Sequence, residues 1–565
     1  MRLMFPTALC LAAAAIVLVF AAPAGAATSC SYASATHSIT ISATADSDPV
    51  AITRSGTAIQ LNGANCGAAT VSNTDTITVN GSAGRQNVKI DESNGMFAPG
   101  FTPETAPAEI EFAMKLAAGT DRVTVVGTTN ADTITAGTGG VNLNNDSDVD
   151  VTLAGVEELY LNGNDAADTI SGAGGKGTGS AYPGPITEDG GQGGDTLTGG
   201  DGRDALYGST EADVLYGGRS SDYLYGGLGG DTLHGGQEND NIYGNGGDDT
   251  AYGDEGNDSF YSDSVIDGQD SYNGGAGGKD LVTYYQRAIA VTVTIDGNPN
   301  DGQSGEGDNV KTDVENVTGS TMNDTITGSA QNNNLDGVGG NDTLNGGDGD
   351  DTLSGGSSYT DPSGADTLNG GDGNDNLSGY NGVDHLNGGE GEDQLSPGQG
   401  NDVASGGPGD DNFYSEYGTI DGADSFSGGP GLDYVSYYGR VNPLTITLDG
   451  NNNDGESGEH DNVQPDIESI DGGSNADHIT GNASDNTFYG NDGADVIDAG
   501  AGKDYVSGGN DGDTIDPGDG EDTVYADAGT DTITAQDGSV DYVDGGTETD
   551  TLVNHDSFDV ISNIP

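Results

Sequence analysis

Aspartate recurs every nine residues within segment 190–261 of this 565-residue chain. Eight such residues follow one another without a slip: Asp195, Asp204, Asp213, Asp222, Asp231, Asp240, Asp249 and Asp258. Carboxylates are hard oxygen ligands, and calcium takes roughly six to eight oxygens in a flexible arrangement. The pattern therefore favours the binding of hard cations, provided that the surrounding elements bring the carboxylates together.

Each aspartate belongs to a nine-residue unit that begins with a glycine-rich loop and ends with a triplet whose central residue is apolar. Glycine adopts φ > 0 and leaves room for backbone carbonyls that point inward, so the loop glycines belong to the predicted metal sites. In the units with intact loops these are Gly190, Gly193, Gly199, Gly202, Gly226 and Gly229. In the triplet, strand geometry sends the central apolar residue to one side and its neighbours to the other. The unit is typical of a turn followed by a strand with one core residue.

Hydrophobic burial alone cannot fold such units. Burying one leucine contributes about 1.5–3 kcal/mol, whereas ordering nine backbone residues costs roughly 1–2 kcal/mol each. Stacked strands also bring like carboxylates to about 4.8 Å, at a cost of about 1 kcal/mol per contact even in water. Bound cations would remove that cost and couple binding to folding. The alternative is a metal-free solenoid whose aspartates form solvated turns.

The unit GGxGxDxUx, with U apolar, resembles the RTX (hemolysin-type) calcium-binding repeat. Its three arrays cover a little under half of the chain. The resemblance implies an all-β fold, a right-handed parallel β-roll or β-helix solenoid with two units per coil and multiple Ca2+ ions between stacked loops. Asp195 and Asp213 would then lie on one edge, with Asp204 and Asp222 on the other.

Two later arrays repeat the unit and extend the predicted metal sites. In the second array the ligands are Asp342, Asp351, Asp366, Asp375, Asp384, Asp393, Asp402 and Asp411. In the third array they are Asp495, Asp504, Asp513 and Asp522. Some units depart from the pattern. Asn333 and Asn486 replace the aspartate, and units 208–216, 217–225 and 235–243 lack the fourth-position glycine, which puts ion binding there in question.

The repeats and their interruptions predict eight segments. They are a signal peptide (1–26), a β-rich N-terminal domain (27–189), the first array (190–261), a β module (262–318), the second array (319–414), a second copy of the module (415–471), the third array (472–553) and a C-terminal cap (554–565). Short Thr-, Ser- and Val-rich runs predict an irregular β-helix-like N-terminal domain that begins the stack.

The two modules are internal duplicates with a constant offset of 153 residues. Each has an acidic loop, 296–308 or 449–461, that could be either a calcium loop or an acidic turn. Arg287 and Arg440 occupy matching places in the two copies. In a chain with few basic residues, we interpret them as partners in local salt bridges.

The formal net charge of −79 argues against nucleic acid and anionic membranes as partners and favours cations. Arg2, the apolar run 8–20 and the sequence Ala24-Gly25-Ala26 predict a cleaved secretory signal, and no later run is long enough for a transmembrane segment. The mature chain is therefore expected to be secreted. In an oxidising compartment Cys30 and Cys66 should form a disulfide, with two free thiols as the alternative.

No catalytic motif is visible, so the sequence favours a non-enzymatic extracellular structural or adhesive component, with a cell surface or polysaccharide as its partner. The alternative is a calcium-dependent β-helical lyase, epimerase or hydrolase that acts on polysaccharide. Tyrosines recur eighteen residues apart at Tyr207, Tyr225, Tyr243 and Tyr261. Such a ladder could bind sugars, but stacking between strands is favoured.

Overall fold

The computed structural model describes residues 28–43, 49–98, 109–356, 364–415 and 421–564. The predicted signal peptide lies outside the described residues. Within them the chain forms strands and turns without a helix, and hence no helix that could span a membrane. The chain divides into two compact units, one formed by residues up to Tyr261 with Asp267–Asp280, the other by Ser262–Ile266 with the residues from Leu281 onward.

The first unit is a solenoid with two sheets. One sheet contains, in spatial order, Ser29–Ala33, Ser38–Ser42, Thr76–Asn80, Glu111–Lys115, Val151–Ala154, Gly140–Asn142, Thr133–Gly137, Thr169–Ser171, Thr196–Thr198, Val214–Gly218, Thr232–Gln237, Thr250–Glu255 and Ser271–Ala276. The other contains Ala64–Thr70, Ala58–Leu61, Pro49–Ser55, Asn87–Asp91, Arg122–Val126, Glu158–Asp165, Ile186–Gln192, Ala205–Thr210, Tyr223–Leu228, Asn241–Gly246 and Ser259–Tyr261.

Consecutive coils of the first array pair in parallel with an offset of eighteen residues. Leu206 pairs with Leu224, and Leu215 pairs with Leu233. The central apolar residues of the triplets are at most 3% exposed and form one narrow core between the sheets. Two nine-residue units therefore make one coil, and the predicted all-β parallel solenoid is confirmed.

The N-terminal region continues the same two sheets and begins the stack, as the sequence predicts. Thr133–Gly137 pairs in parallel with Thr169–Ser171, which in turn pairs with Thr196–Thr198 of the first array. Among the described residues of the first unit, antiparallel pairing occurs at two places in this region, between residues 29 and 70 and between residues 133 and 151. A disulfide joins Cys30 to Cys66, one on each sheet, with Cα atoms 5.7 Å apart.

The second unit has one continuous sheet. It consists of Leu281–Thr283, Asn316–Thr318, Asn334–Asp336, Thr352–Ser354, Asn376–Ser378, Gln394–Ser396, Asn412–Tyr414, Tyr434–Ser436, Ser469–Asp471, Thr487–Asp492, Tyr505–Asn510, Thr523–Ala528, Tyr542–Asp544 and Val560–Ser562. Here too each strand except the last, Val560–Ser562, has a buried central residue that faces the core.

The opposite sheet of the second unit is divided into two runs. The first contains Gly302–Gln303, Val291–Thr294, Thr325–Thr327, Thr343–Asp348, Thr367–Asp372, His385–Glu390, Val403–Ser405, Ser425–Ser427 and Asn462–Val463. The second contains Gly455–Glu456, Leu444–Thr447, His478–Thr480, Val496–Asp498, Thr514–Asp516, Thr532–Ala535 and Thr551–His555. Short strands complete the unit: Asn309–Val310, Asn381–Gly382, Gln399–Gly400, Ala501–Gly502 and Asp519–Gly520. In each module copy an antiparallel pair begins a run.

Tyrosines form a stacked ladder on the first unit. The ring centroids of Tyr207 and Tyr225 are 4.8 Å apart, those of Tyr225 and Tyr243 are 4.7 Å apart, and those of Tyr243 and Tyr261 are 4.4 Å apart. The planes are within 14° of parallel, so each inner ring covers the faces of its neighbours. This geometry agrees with the stacking interpretation of the ladder.

Candidate metal centre

The repeat aspartates form a hydrogen-bonded ladder along each edge of the solenoid. The backbone N–H of Asp195 donates to Oδ1 of Asp213 over 2.7 Å, and that of Asp213 donates to Asp231 over 2.8 Å. On the other edge the N–H of Asp204 donates to Oδ1 of Asp222 over 2.7 Å. The eighteen-residue offset thus places the carboxylates as the sequence predicts, with one oxygen of each bound to the preceding coil.

The second carboxylate oxygen of most repeat aspartates is buried without a hydrogen-bond partner. This holds for eighteen of the twenty predicted aspartates: Asp195, Asp213, Asp222, Asp231, Asp240, Asp249, Asp258, Asp342, Asp351, Asp375, Asp384, Asp393, Asp402, Asp411, Asp495, Asp504, Asp513 and Asp522. An unpaired buried charge is among the costliest groups in a protein interior. The ladders therefore require either protonation or a cation.

The raised pKa values of the ladder aspartates reflect the same cost of burying an unpaired charge. Burial, aided by the charge of Asp204, raises the pKa of Asp222 to about 8. Burial, with the charges of Asp222 and Asp258, raises the pKa of Asp240 to about 8. On the other edge burial raises the pKa of Asp231 to about 6. Without a cation, the anionic form of all three groups is disfavoured relative to a free aspartate, most strongly for Asp222 and Asp240.

The loop glycines are needed because other atoms approach them closely. A Cβ at Gly226 would lie 2.4 Å from Oδ2 of Asp231, and a Cβ at Gly229 would lie 1.9 Å from the backbone oxygen of Glu211. The other predicted glycines behave alike: a Cβ would meet a carboxylate or backbone oxygen at 2.2 Å at Gly190, Gly193, Gly199 and Gly202. Carboxylate and carbonyl oxygens of adjacent loops therefore crowd into one space that only glycine leaves open.

The loops adopt two conformations, which we call open and closed. In an open loop the residue four positions before the aspartate has positive φ, as at Gly218 (φ 106°) before Asp222, and it donates no hydrogen bond to the carboxylate. In a closed loop that residue is not left-handed, and its N–H caps the carboxylate, as Gly200 does for Asp204. Open loops leave an oxygen free for an ion, and closed loops do not.

Closed loops occur where the preceding coil is not a repeat. The carboxylates of Asp324 and Asp477 and the side-chain oxygens of Asn333 and Asn486 accept N–H groups four residues earlier. Asn333 also donates from Nδ2 to the backbone oxygen of Glu315 over 3.1 Å. Sequence reasoning included Asp204 among the ligands because its unit is intact. The structure instead uses both its oxygens to accept backbone N–H groups, from Ile186 and Gly200.

The remaining predicted ligand, Asp366, is buried beside a small cavity. Gly340, Gly364 and Tyr380 line that cavity with it. Units without the fourth-position glycine keep open loops, since Ser209, Gly218 and Gly236 have positive φ four residues before the aspartate. At the fourth position itself, Glu211, Ser220 and Glu238 adopt the positive φ that glycine has elsewhere. Their departure from the pattern therefore leaves the loop geometry intact.

In the repeat units after residue 261, four described aspartates that were not among the predicted ligands also have an unpartnered buried oxygen: Asp433, Asp531, Asp541 and Asp550. Asp433 was overlooked because its unit, GGPGLDYVS at 428–436, falls inside the duplicated module although it matches the pattern fully. The others follow from the nine- or ten-residue spacing at the end of the third array. The repeat pattern was therefore the sequence signal that could have identified these four aspartates.

The acidic loops of the duplicated modules are acidic turns. The carboxylate of Asp301 accepts the N–H groups of Thr294 and Val310 over 2.6 and 2.8 Å. Glu306 pairs with the guanidinium of Arg287 over 2.6 Å. In the second copy, Asp454 accepts from Thr447 and Val463 over 2.6 and 2.8 Å, and Arg440 contacts Asp421 and Glu459. Backbone and arginine thus occupy these carboxylates, which confirms the salt-bridging interpretation of both arginines.

The open loops fit calcium. Their donors are carboxylate and backbone carbonyl oxygens, and the stacked loops bring several of them to one place, as a hard cation with many oxygen ligands requires. Asp222 and Asp240, for example, would hold an ion with the loop carbonyls between them. Such ions would neutralise the ladders and bind only the folded coil.

In each unit, fold and site together define a parallel β-solenoid whose edge loops offer oxygen ligands to a cation. The sequence model of the RTX calcium-binding nonapeptide repeat, four copies long, matches residues 189–224, 198–233, 225–260, 318–353, 363–395, 398–418, 471–506, 507–540 and 518–552. The chain therefore carries RTX calcium-binding repeats in multiple copies, and the resemblance seen in the sequence is confirmed. No curated protein gives a significant match to the chain.

Proposed function

We propose that this chain is an exported protein that several calcium ions fold and stabilise, and that it serves as a structural or adhesive component outside the cell. The observation that carries the proposal is the pair of ladders, in which buried carboxylates such as Asp222 and Asp240 keep an unpartnered oxygen. An acidic solenoid without cations would be opposed by its own charge. Bound calcium would neutralise this charge, so the scaffold would fold only where calcium is available.

Export is supported by features that lie apart from the repeats. Residues 1–26 have the charge, apolar run and small-residue ending of a secretory signal. The disulfide between Cys30 and Cys66 suits an oxidising compartment. Calcium-binding modules outside cells work with dissociation constants of roughly 0.1–1 mM, which stacked loops of this kind can supply without further ligands.

A non-enzymatic role is supported by the placement of the basic and aromatic groups. A polysaccharide lyase or epimerase needs a cation beside its catalytic carboxylates, and in the duplicated modules the side chains of Arg287 and Arg440 are 1% and 0% exposed and paired with acids. The faces of Tyr225 and Tyr243 are covered by their neighbours in the ladder, which leaves them poorly suited to stack on sugars. Adhesion through the acidic surface, bridged by calcium to an acidic polysaccharide, suits the chain better.

If the chain is an enzyme, one groove is a candidate for its active site. A groove beside the second module is lined by His460, His478 and Glu456, residue types that could transfer protons. It makes the alternative testable with a single variant, His460→Ala.

Expression of the full chain with its own N-terminus in a bacterial host tests the proposal. Intact-mass measurement of protein from the medium should give a chain that begins at Ala27. This protein should sediment with cells or acidic polysaccharide in calcium and be released by chelator. Recovery from the cytosol with residues 1–26 attached, or no calcium-dependent sedimentation, would contradict the proposal. A fall in polysaccharide viscosity that His460→Ala abolishes would establish the enzyme instead.

A further inference from the structure

A turn in the N-terminal region, outside the repeats, carries Asn or Asp at every second position. It spans residues 142–150, between the strands Gly140–Asn142 and Val151–Ala154, and its polar residues are Asn142, Asn144, Asp146, Asp148 and Asp150. The strand Glu111–Lys115 pairs in parallel with Val151–Ala154. This pairing brings Glu109 and Glu111 next to the turn.

The acidic side chains of the turn and of this strand converge. Carboxylate oxygens of Glu109, Asp146 and Asp148 lie within 4.8 Å of one another, and so do oxygens of Glu109, Glu111 and Asp150. Glu109 is common to both groups and also accepts a hydrogen bond from Asn144. Five carboxylates thus surround one place in the fold.

Two oxygens in this cluster are buried and unpartnered. Asp150 is 2% exposed; one of its oxygens accepts the N–H of Leu143, while Oδ1 has no partner. Oδ2 of Asp146 is likewise buried without a partner. In the described part of the chain, no Lys or Arg forms an ion pair with Glu109, Asp146 or Asp150. The charge of these three side chains is therefore not offset by an ion pair.

A small cavity adjoins the cluster. Its lining includes Glu92, Glu109, Asp150, Phe97 and Phe112, and its volume is about 10 Å³, roughly the room that one water molecule needs. Burial and the charge of Asp150 raise the pKa of Glu109 to about 9. The site has both the room for a small ion and the unfavourable charge that an ion would remove.

We propose that the turn 142–150 and Glu109 bind a calcium ion that ties this turn to the neighbouring strand, independently of the repeat loops. Every donor is a hard oxygen, and the cluster contains no His or Cys, which selects calcium or magnesium over softer metals. The irregular, crowded carboxylates favour calcium, because magnesium requires near-octahedral geometry and keeps its waters.

Hydrogen exchange of the mature full chain, resolved by mass spectrometry, tests the site. At a calcium concentration about ten times the dissociation constant, exchange in peptides covering 142–150 should slow by about tenfold relative to chelator, with magnesium far less effective. Asp150→Asn and Glu109→Gln keep the shape of the side chains and should abolish the slowing in 142–150 alone. Asp165→Asn, which lies outside the cluster in the same region, is the matched control and should change nothing.

Peptides within 214–250 report on the repeat loops in the same experiment. Exchange in 142–150 that is equal in calcium and chelator, while 214–250 responds, would overturn the inference and leave the proposed function standing. Retention of the calcium effect in both variants would also overturn it. Absence of any calcium effect in both regions would refute both proposals.

Discussion

Replacement of Asp222 by asparagine should have opposite effects with and without calcium. Asp222 stands between Asp204 and Asp240 in one ladder. At about 4.8 Å, each like-charge contact costs about 1 kcal/mol at the dielectric constant of water and more near a protein surface. Removal of the charge therefore relieves at least about 2 kcal/mol in the metal-free chain. In calcium the same change removes a charged ligand and should weaken binding by at least the roughly 10–100-fold that loss of a second-shell partner costs.

The metal-free part of the prediction follows from the sign of the pKa shift. The pKa of Asp222 is raised to about 8 in the folded chain, against about 4 when unfolded. Its contribution to stability is fully present below about pH 4 and is lost as the pH rises through about 8. Other ladder aspartates shift in the same direction, such as Asp240, so a calcium-free chain should gain β structure on acidification between these limits.

The size of the effect can be estimated from the ladder. Eight aspartates of the first array give a slope on the order of 10 kcal/mol per pH unit if all titrate together, at about 1.4 kcal/mol per proton. A relief of about 2 kcal/mol then moves the midpoint of acid-induced folding upward by about 0.2–0.4 pH unit. Asp222→Asn should also raise the calcium midpoint at neutral pH.

Far-UV circular dichroism measures both midpoints, one in a pH titration of calcium-free protein and one in a calcium titration. Asp201→Asn is the matched control, because Asp201 is an exposed loop aspartate with the same formal charge, and it should move neither midpoint appreciably. A variant Asp222→Asn that shifts both midpoints toward lower stability, or neither of them, would refute the argument from buried unpaired carboxylates.

Four further changes should be read by thermal unfolding in calcium. Glu238→Gly removes a side chain from a left-handed residue (φ 71°) and should stabilise the folded chain by about 0.5–1 kcal/mol. A lower midpoint of thermal unfolding would contradict backbone strain at this residue. Gly229→Ala places a Cβ 1.9 Å from a carbonyl oxygen of the preceding loop and should cost about 3 kcal/mol or more; an unchanged midpoint would contradict the close approach. Glu188 is fully buried and its pKa is raised well above the usual range, first by burial. Glu188→Leu should therefore stabilise at neutral pH, with a gain that shrinks as the pH falls toward about 4, and a gain independent of pH would contradict this. Arg440→Met leaves Glu459 without its partner at 2.8 Å and should cost about 3–5 kcal/mol; a neutral result would mean that the ion pair is dispensable.

The regular part of the fold was predictable because it is periodic. One apolar residue per nine, as at Leu215 and Leu224, identifies the core, and an eighteen-residue coil then places Asp195 beside Asp213. These relations repeat, so any one unit predicts the next. The same periodicity extends to Asp433, which could have been found from its own unit.

The closed loops could not be predicted from the units that contain them. The loop of Asp204 has the full pattern, but the residues stacked before it belong to the non-repeat segment 182–186, and its oxygens turn to backbone N–H groups instead. Ion competence is thus a property of two adjacent coils. The cluster around Glu109 and Asp150 escaped sequence reasoning for a related reason, since strand pairing between distant segments assembles it.

A calcium titration of the mature protein followed by far-UV circular dichroism, with magnesium as the control, tests the central claim most directly. The ladders predict little β signal in chelator at neutral pH and a cooperative rise to a β-rich spectrum with calcium, which magnesium fails to reproduce. A full β signal in chelator that calcium leaves unchanged would contradict the claim that cations bound between the aspartate loops hold this solenoid together.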